Sequence, residues 1–142
     1  MLTVRIADFA ADHAEICAIR FAVFVDEQQV PESIEIDDRD PHCVHLLAVD
    51  DGEPVGTGRI DLGLSGKVGR VAVVASRRGQ GVGTALMKYA HGIAKDNALD
   101  KVWCNAQVSV RPFYERLGYR VTSEPFYEAN IEHVRMERAL SD

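Results

Sequence analysis

A glycine-rich segment in the middle of the chain has the residue types and spacing of an anion-binding loop. Five apolar residues at 71–75 lead through a serine and two arginines to glycines at alternate positions, 79, 81 and 83. A helical pattern of apolar residues begins at Val82. A strand that turns through such a loop into a helix brings free backbone N–H groups and the positive end of the helix dipole to one point. The segment therefore predicts a pyrophosphate site.

The same loop lacks the features of two common nucleotide-binding motifs. The dinucleotide fingerprint needs its third glycine where Thr84 stands, and the strand predicted at 102–105 ends without an acidic residue for a ribose. A Walker loop needs a Lys-Ser or Lys-Thr pair after the glycines, and this chain has none there. A plain strand-to-helix turn without a ligand, and a nucleotide-binding protein of another kind, stay open as alternatives.

A second segment, 107–119, combines polar and aromatic residues on a short predicted helix. Ser109 is predicted as its N-cap, Pro112 is tolerated in its first turn, and Gly118 stands where a left-handed residue would end it. Tyr114 projects about 100° away from its neighbour Phe113, so it need not join the apolar face of the helix. The structural alternative is a core tyrosine with a satisfied hydroxyl.

In this order, the two segments resemble the two signature motifs of the GNAT superfamily of acetyl-CoA-dependent N-acetyltransferases. Residues 78–83 spell Arg-x-x-Gly-x-Gly, and residues 113–119 resemble Phe-Tyr-Glu-x-Leu-Gly-Tyr. Further matches resemble the ElaA-like branch of small bacterial acetyltransferases, also called YjcF-like. They are Arg20, Val23, Phe24, Val25, Glu27, Gln28, Val30, Pro31, Glu35, Asp37, Asp40, His45, Ala106, Gln107, Phe126, Glu128, Ile131, His133 and Met136.

The resemblance implies that acetyl-CoA is the co-substrate and lies in a slot between two splayed strands, with no metal. Pantetheine is expected to pair with the strand backbone, and the diphosphate to accept N–H bonds from the glycine loop. The implied cofactor-binding residues are Val71, Ala72, Val73, Arg78, Gly79, Gln80, Gly81, Val82, Gly83, Thr84, Gln107 and Phe113. By the same resemblance Tyr114 is the catalytic general acid that protonates the departing thiolate.

The base is not fixed by the sequence. An acceptor amine must be neutral to attack, but a free alkylamine has a pKa near 10, so a base or a desolvating pocket is required. Glu27, His45 and His133 are the candidate bases or substrate-binding residues. The structural alternatives are hydrogen-bonded histidines in half-buried strands and an ion-paired or solvated Glu27.

The charge of the acceptor also stays open. Two acidic residues, Asp37 and Asp40, favour a cationic acceptor, whereas three arginines favour an acidic one, namely Arg20, Arg59 and Arg70. The expected partner is a small-molecule or peptide amine. The rival function is a catalytically silent acyl-CoA-binding module that serves as a sensor or interaction domain, and the retention of Tyr114 with an intact glycine loop favours the enzyme.

Composition limits the classes of protein to which the chain can belong. With 142 residues it is predicted to form one domain, 1–142, a monomer or a homodimer. Its net charge of -6 argues against a nucleic-acid surface, and no apolar stretch approaches a membrane span. Three cysteines in apolar stretches predict buried free thiols in the cytoplasm, and Cys104 is a remote candidate nucleophile.

The periodicity predicts an α/β (α+β) fold with the order β-α-β-β-β-α-β-α-β-β. By the resemblance, a GNAT-like mixed central β-sheet is flanked by helices on both faces. Asp12 and Glu15 form a predicted capping box before the first helix, and an acidic loop containing a short helix follows Pro31. Strands are predicted at 3–7, 43–49, 54–62, in the segment that enters the glycine loop, and at 101–106, 119–122 and 133–140.

Overall fold

The computed structural model describes residues 1–140, with Ile34 described by its backbone alone. Eight strands form one mixed sheet: β1 Leu2–Ala7, β2 Val44–Asp50, β3 Glu53–Asp61, β4 Lys67–Val73, β5 Lys101–Gln107, β6 Arg120–Val121, β7 Phe126–Glu128 and β8 Ile131–Ala139. Their spatial order is β1-β2-β3-β4-β5-β8-β6, and β7 pairs with β8. Every pairing is antiparallel except the one between β4 and β5.

Helices cover both faces of this sheet. They are α1 His13–Arg20, α2 Glu32–Glu35, α3 Val82–Asp96 and α4 Arg111–Arg116, and a π-helical segment Phe21–Glu27 continues α1. Because side chains alternate along a strand, Leu46 packs in the core under α3, whereas its neighbour Leu47 packs with Ile16 of α1. The predicted fold class is therefore confirmed. None of the helices in the described part of the chain has the length and apolar content that a membrane span requires.

The order of elements differs from the prediction by one short strand, β7, which makes a hairpin with β8. Its turn consists of Ala129 and Asn130, both left-handed, with φ of 52° and 63°. Two-residue hairpin turns of this kind usually contain the sequence Asn-Gly or Asp-Gly. This turn has no glycine and β7 has three residues, so the pattern gave no signal for the strand.

Two predicted helix caps are wrong. The Asp12 carboxylate makes no cap hydrogen bond, because it accepts hydrogen bonds from the Arg5 guanidinium at 2.9 Å and the Asp8 backbone N–H at 2.9 Å. Ser109 lies within a single 3₁₀ turn, and Val110 occupies the N-cap of α4. The predicted end of α4 is confirmed. Gly118 has φ 90°, and the backbone N–H of the next residue, Tyr119, donates to the Tyr114 carbonyl at 3.1 Å.

The parallel strands β4 and β5 separate soon after they meet. They pair at Lys67 and Trp103 alone, and the Trp103 N–H donates to the Gly66 carbonyl at 3.1 Å. Beyond this point β4 stays bonded to β3, while β5 stays bonded to β8. The result is a V-shaped slot in the middle of the sheet, closed at Lys67 and open toward Val73 and Gln107.

Candidate active site

A cleft of about 390 Å³ opens where β4 and β5 separate. Its wall includes Val71 of β4, Gln107 of β5, Tyr114 of α4 and His133 of β8. These residues come from four elements that the splayed sheet brings to one place. The cleft is thus bounded by predicted cofactor residues, the predicted acid and one of the candidate bases.

The glycine loop that precedes α3 presents unpaired backbone donors. Gly79 and Gly81 have φ of 77° and 84°, which side chains rarely adopt, and a Cβ on either would meet no atom within 4 Å. Gly81 is the N-cap of α3 and has no side chain to cap it. Within the described chain the N–H groups of residues 79–84 donate to no acceptor. Unsatisfied N–H groups at the positive end of a fifteen-residue helix favour an anion.

Gly83 has a packing role as well. A Cβ at this position would lie 3.3 Å from the Phe113 ring, so the missing side chain lets α3 approach α4 closely. The Phe113 ring then makes an edge contact with Tyr114, with ring centroids 5.1 Å apart. The glycine loop and the predicted acid are therefore linked through a single aromatic ring.

Arg78 joins the loop to two other elements. Its Nε donates to the Val73 carbonyl at 3.0 Å, and its Nη2 lies 2.8 Å from a Glu27 carboxylate oxygen. Glu27 lies at the end of the π-helical segment and is not part of the cleft wall. The structure therefore places Glu27 in the ion-paired arrangement, one of the two alternatives that the sequence left open.

The open edge of β4 lies along the slot. Val71 lines the cleft, whereas Ala72 points to the other side and packs in the core with residues of α1. On that edge Lys67 alone pairs with another strand of the described chain. An extended ligand can therefore pair with the backbone of residues 71–73, while Ala72 can contribute only its main chain.

Tyr114 lies in the cleft wall with its ring between Phe113 and Tyr119. No residue from 1 to 140 makes a hydrogen bond with its hydroxyl, whereas the Tyr119 hydroxyl lies 2.7 Å from His91 Nε2. Burial raises the pKa of Tyr114 well above its ordinary value. The hydroxyl is thus protonated at neutral pH, which suits a proton donor and not a base.

The two candidate histidines lie in different surroundings. His133 is in the cleft wall, its Nδ1–H donates to the Ile131 carbonyl at 2.7 Å, and its Nε2 lies 3.7 Å from the Glu128 carboxylate. His45 lies outside the cleft, 2% exposed, stacked on Phe9, and donates from Nε2 to a backbone carbonyl at 2.8 Å. Burial lowers the pKa of His45. The structure places His133, and not His45, in the cleft wall that also contains Tyr114.

A largely buried cluster of opposite charges lies against the cleft and contributes Glu35, Asp37 and Arg59 to its wall. Arg20 contacts Glu35 at 2.5 Å and Asp40 at 2.8 Å, while Arg59 contacts Asp40 at 2.7 Å and Asp37 at 2.8 Å. The Arg59 guanidinium holds the pKa of Asp37 far below its usual range. Burial raises the pKa of Glu35 in spite of Arg20.

This cluster bears on the charge of the acceptor, which the sequence left open. Asp37 and Asp40 are engaged with Arg20 and Arg59, so these four side chains largely neutralise one another. Arg70 joins the same cluster, at 3.3 Å from Asp37, and keeps 27% of its side chain exposed. The pairs are 15 to 33 residues apart in the chain, and no local pattern could have revealed them.

Three polar residues beside the slot had no site role in the sequence analysis, although two of them, Gln28 and Glu128, were among the family matches. Gln28 accepts a hydrogen bond from the Gln107 side-chain amide at 2.7 Å, across the slot from β5 to the π-helical segment. Asn105 and Glu128 line the same cleft. Alternation along β5 was the available signal, because it places residues 105 and 107 on one face.

The cysteines do not match the prediction of three buried thiols. Cys104 is buried, but Cys17 and Cys43 are half-buried. Burial raises the pKa of the Cys104 thiol to about 12, so this thiol is a poor nucleophile at neutral pH. Among residues 1–140 no three or more His, Cys, Asp or Glu side chains are arranged to hold a metal ion.

Comparison with known proteins identifies the family. Residues 8–140 match the acetyltransferase (GNAT) domain family. Over 120 residues the chain is 40% identical to YjcF of Bacillus subtilis, named as an uncharacterized N-acetyltransferase, covering 83% of this chain and 86% of that one.

Solved structures agree with this match. An acyl-CoA N-acyltransferase from Pseudomonas aeruginosa superposes with a TM-score of 0.83 at 30% identity, covering 98% of this chain and 99% of that one. ElaA of Escherichia coli has a TM-score of 0.83 at 28% identity, covering 97% and 99%. The chain therefore belongs to the GNAT family and is an acyltransferase.

Proposed function

We propose that the protein transfers the acetyl group of acetyl-CoA to a primary amine by direct attack within a ternary complex. The observation that carries this proposal is the row of unpaired N–H groups at residues 79–84, at the open end of a slot that also holds Tyr114. These donors bind the diphosphate, and the free edge of β4 pairs with the pantetheine arm. The thioester then points into the cleft, where the amine arrives.

Each chemical requirement of the transfer has a candidate residue in the cleft. A backbone N–H of β4 near Val71 stabilises the carbonyl oxygen as it gains charge. Tyr114 protonates the departing thiolate, because its hydroxyl is held neutral and is close to the slot. His133 takes the proton from the amine at Nε2, since its Nδ1 already donates to a carbonyl. The three unpaired cysteines suit a reducing compartment, and we assign the protein to the cytoplasm.

A catalytically silent acyl-CoA-binding module is the rival function. It would keep the glycine loop but would have no use for a half-buried tyrosine in the cleft wall whose hydroxyl has no hydrogen-bond partner in the described chain. CoA release with a panel of small-molecule and peptide amines, compared between the native protein and Tyr114→Phe, separates the two. We expect Tyr114→Phe to lower kcat by about 10²–10⁴-fold, the usual contribution of a general acid, while acetyl-CoA affinity changes little.

Tyr127→Phe is the matched control, because this tyrosine is 73% exposed on β7 and lies outside the cleft wall. It should leave kcat unchanged. Tight acetyl-CoA binding with no turnover on any amine would support the binding module instead. Turnover that is the same in Tyr114→Phe as in the native protein would remove Tyr114 from the mechanism.

A further inference from the structure

Most charges in the wall of the cleft have an opposite charge beside them. Arg39 lies 2.7 Å from Asp61, and Arg59 lies 2.8 Å from Asp37. Arg70 also takes part in this cluster of paired charges. Such pairs orient one another, but they leave little net charge with which to attract a substrate.

Lys67 and Glu128 stand apart from this cluster. In the part of the chain that the structure describes, Lys67 makes no ion pair, and its ammonium lies 5.3 Å above the Trp103 ring. Glu128 is 49% exposed, and the one basic side chain of the described residues within 4 Å of its carboxylate is the His133 imidazole, at 3.7 Å. Both line the cleft. These two side chains are therefore the ones whose charge is available to a ligand.

The two charges lie at opposite ends of the cleft. Lys67 pairs with Trp103, where the slot closes, whereas His133 pairs with Gln107, four residues farther along β5, where the slot is open. Glu128 lies beyond His133 in the β7–β8 hairpin. Four residues of strand span roughly 13 Å, and because both side chains point inward, their charges are on the order of 10 Å apart.

The closed end of the slot carries the positive charge of Lys67, which no carboxylate of the described chain neutralises. A second ammonium group entering there would meet the Lys67 ammonium. A carboxylate would gain from it, because contacts between ionised groups in a partly desolvated site are the strong ones. The closed end therefore favours an anion and disfavours a cation.

We propose that the acceptor is a zwitterion, an amine that also carries a carboxylate, with its amine near Glu128 and His133 and its carboxylate near Lys67. Glu128 attracts the ammonium form to the open end, where Nε2 of His133 can take its proton. Lys67 fixes the other end and so aims the amine at the thioester. Amino acids with a long side-chain amine, ω-amino acids and short peptides have this arrangement. The assignment rests on the acetyl-transfer function proposed above and names its substrate class.

Matched acceptors test this assignment. Straight-chain ω-amino acids of increasing length are compared with their primary amides, which keep the size but lose the charge, and with diamines of equal length. We expect kcat/KM for the preferred acid to exceed that of its amide by at least about tenfold, the ratio expected of one charged contact. The ratio of acid to diamine should be larger still, because the second ammonium of the diamine is repelled by Lys67. The shortest acid, glycine, should show no such preference.

Lys67→Gln should reduce the ratio of acid to amide to near one and leave the KM for acetyl-CoA unchanged. Lys88→Gln is the control, because Lys88 is exposed on α3 and does not line the cleft, so this variant should keep the native ratio. Equal rates for acid and amide in the native protein, or an unchanged ratio in Lys67→Gln, would overturn the assignment.

A binding measurement separates this assignment from the function on which it rests. Calorimetric titration of the same acids and amides into protein saturated with CoA needs no turnover. If no amine is acetylated but the acids bind more tightly in a Lys67-dependent way, acetyl transfer fails and the zwitterion site stands. If acetylation occurs but acids and amides bind and react alike, acetyl transfer stands and the zwitterion site is wrong.

Discussion

The two ends of the active-site region are built on opposite principles. At the glycine loop before α3, backbone donors are left without acceptors, and glycines keep side chains away from them. Under α2 nearly the reverse holds, because buried charged side chains are satisfied by one another at 2.5–2.8 Å. One end is incomplete until a ligand binds, whereas the other is complete without a ligand.

This difference separates a general binding site from a selective one. Main-chain N–H groups can hold any diphosphate, and their geometry needs only a turn and a helix. Buried ion pairs add little to stability compared with apolar residues of the same shape, so their value lies in fixing the positions of groups around a substrate. We infer that the glycine loop holds the acyl donor and that the charged cluster shapes the site of the acceptor.

The largest expected effect is at Asp40, which is fully buried and accepts hydrogen bonds from Arg20, Arg59 and the Asp37 N–H. Asp40→Ala should lower the free energy of unfolding by about 3–5 kcal/mol, because it leaves buried guanidinium groups uncompensated. Denaturant unfolding measures this loss. The control is Asp38→Ala, since Asp38 is exposed in the same loop and its removal should change stability by less than about 0.5 kcal/mol. Equal losses in the two variants would show that the cluster is not coupled.

At the glycine loop, a negative charge should weaken acetyl-CoA binding without affecting the fold. Gly81→Asp and Gly81→Asn have the same shape, and both residue types tolerate the left-handed backbone at this position. We expect Gly81→Asp to weaken acetyl-CoA binding roughly 100-fold. The new carboxylate would occupy the site of the diphosphate, so the charged hydrogen bonds from the loop N–H groups to the diphosphate would be lost. Gly81→Asn should lose far less. Calorimetric titration measures both, and identical affinities would argue against an anion site in this loop.

Acid should destabilise the fold through His91 of α3, which is 7% exposed and paired with Tyr119. Burial lowers the pKa of His91 to about 4, below its unfolded value of about 6.5. Between these values the unfolded chain binds a proton that the folded chain does not, so stability falls as the pH falls.

The expected loss from His91 is about 2 kcal/mol between pH 6.5 and 4.5. The pKa of His45 is also lowered by burial, so protonation of His45 adds to the loss of stability in acid. Unfolding measured across this range should therefore show a shallower pH dependence in His91→Gln than in the native protein. A curve as steep as the native one would mean that His91 is not held neutral.

The smallest effect is expected at the exposed ion pair of Glu27 and Arg78, beside the glycine loop. Glu27→Gln frees the Arg78 guanidinium for the diphosphate, so acetyl-CoA should bind up to about fivefold more tightly and with a steeper dependence on salt. The double variant Glu27→Gln with Arg78→Gln should show no such gain over Arg78→Gln alone. Weaker binding in Glu27→Gln would instead make Glu27 a support that holds Arg78 in place.

The sequence was sufficient for the parts of the molecule that depend on neighbouring residues. The glycine loop and the end of α4 at Gly118 are local conformations with positive φ that glycine determines. Helices on both faces followed from periodicity together with a family resemblance. These elements are confirmed because the forces that specify them act within a few residues.

The acceptor side could not be predicted in the same way. Arg20, Asp40 and Arg59 meet only after α1, the acidic loop and β3 have packed, and their separation in the chain hides the contact. His45 and His133 look equivalent in sequence, but strand pairing turns one into the core and the other into the cleft. The Asp12 capping box failed for a related reason, because Arg5 on β1 competes for the same carboxylate.

A crystal structure of the complex with CoA tests the central claim most directly. The account predicts that diphosphate oxygens accept hydrogen bonds from the N–H groups of residues 79–84, and that the pantetheine arm follows β4 so that its sulfur lies beside Tyr114. CoA bound elsewhere, or a diphosphate held by side chains while these N–H groups stay unengaged, would contradict it.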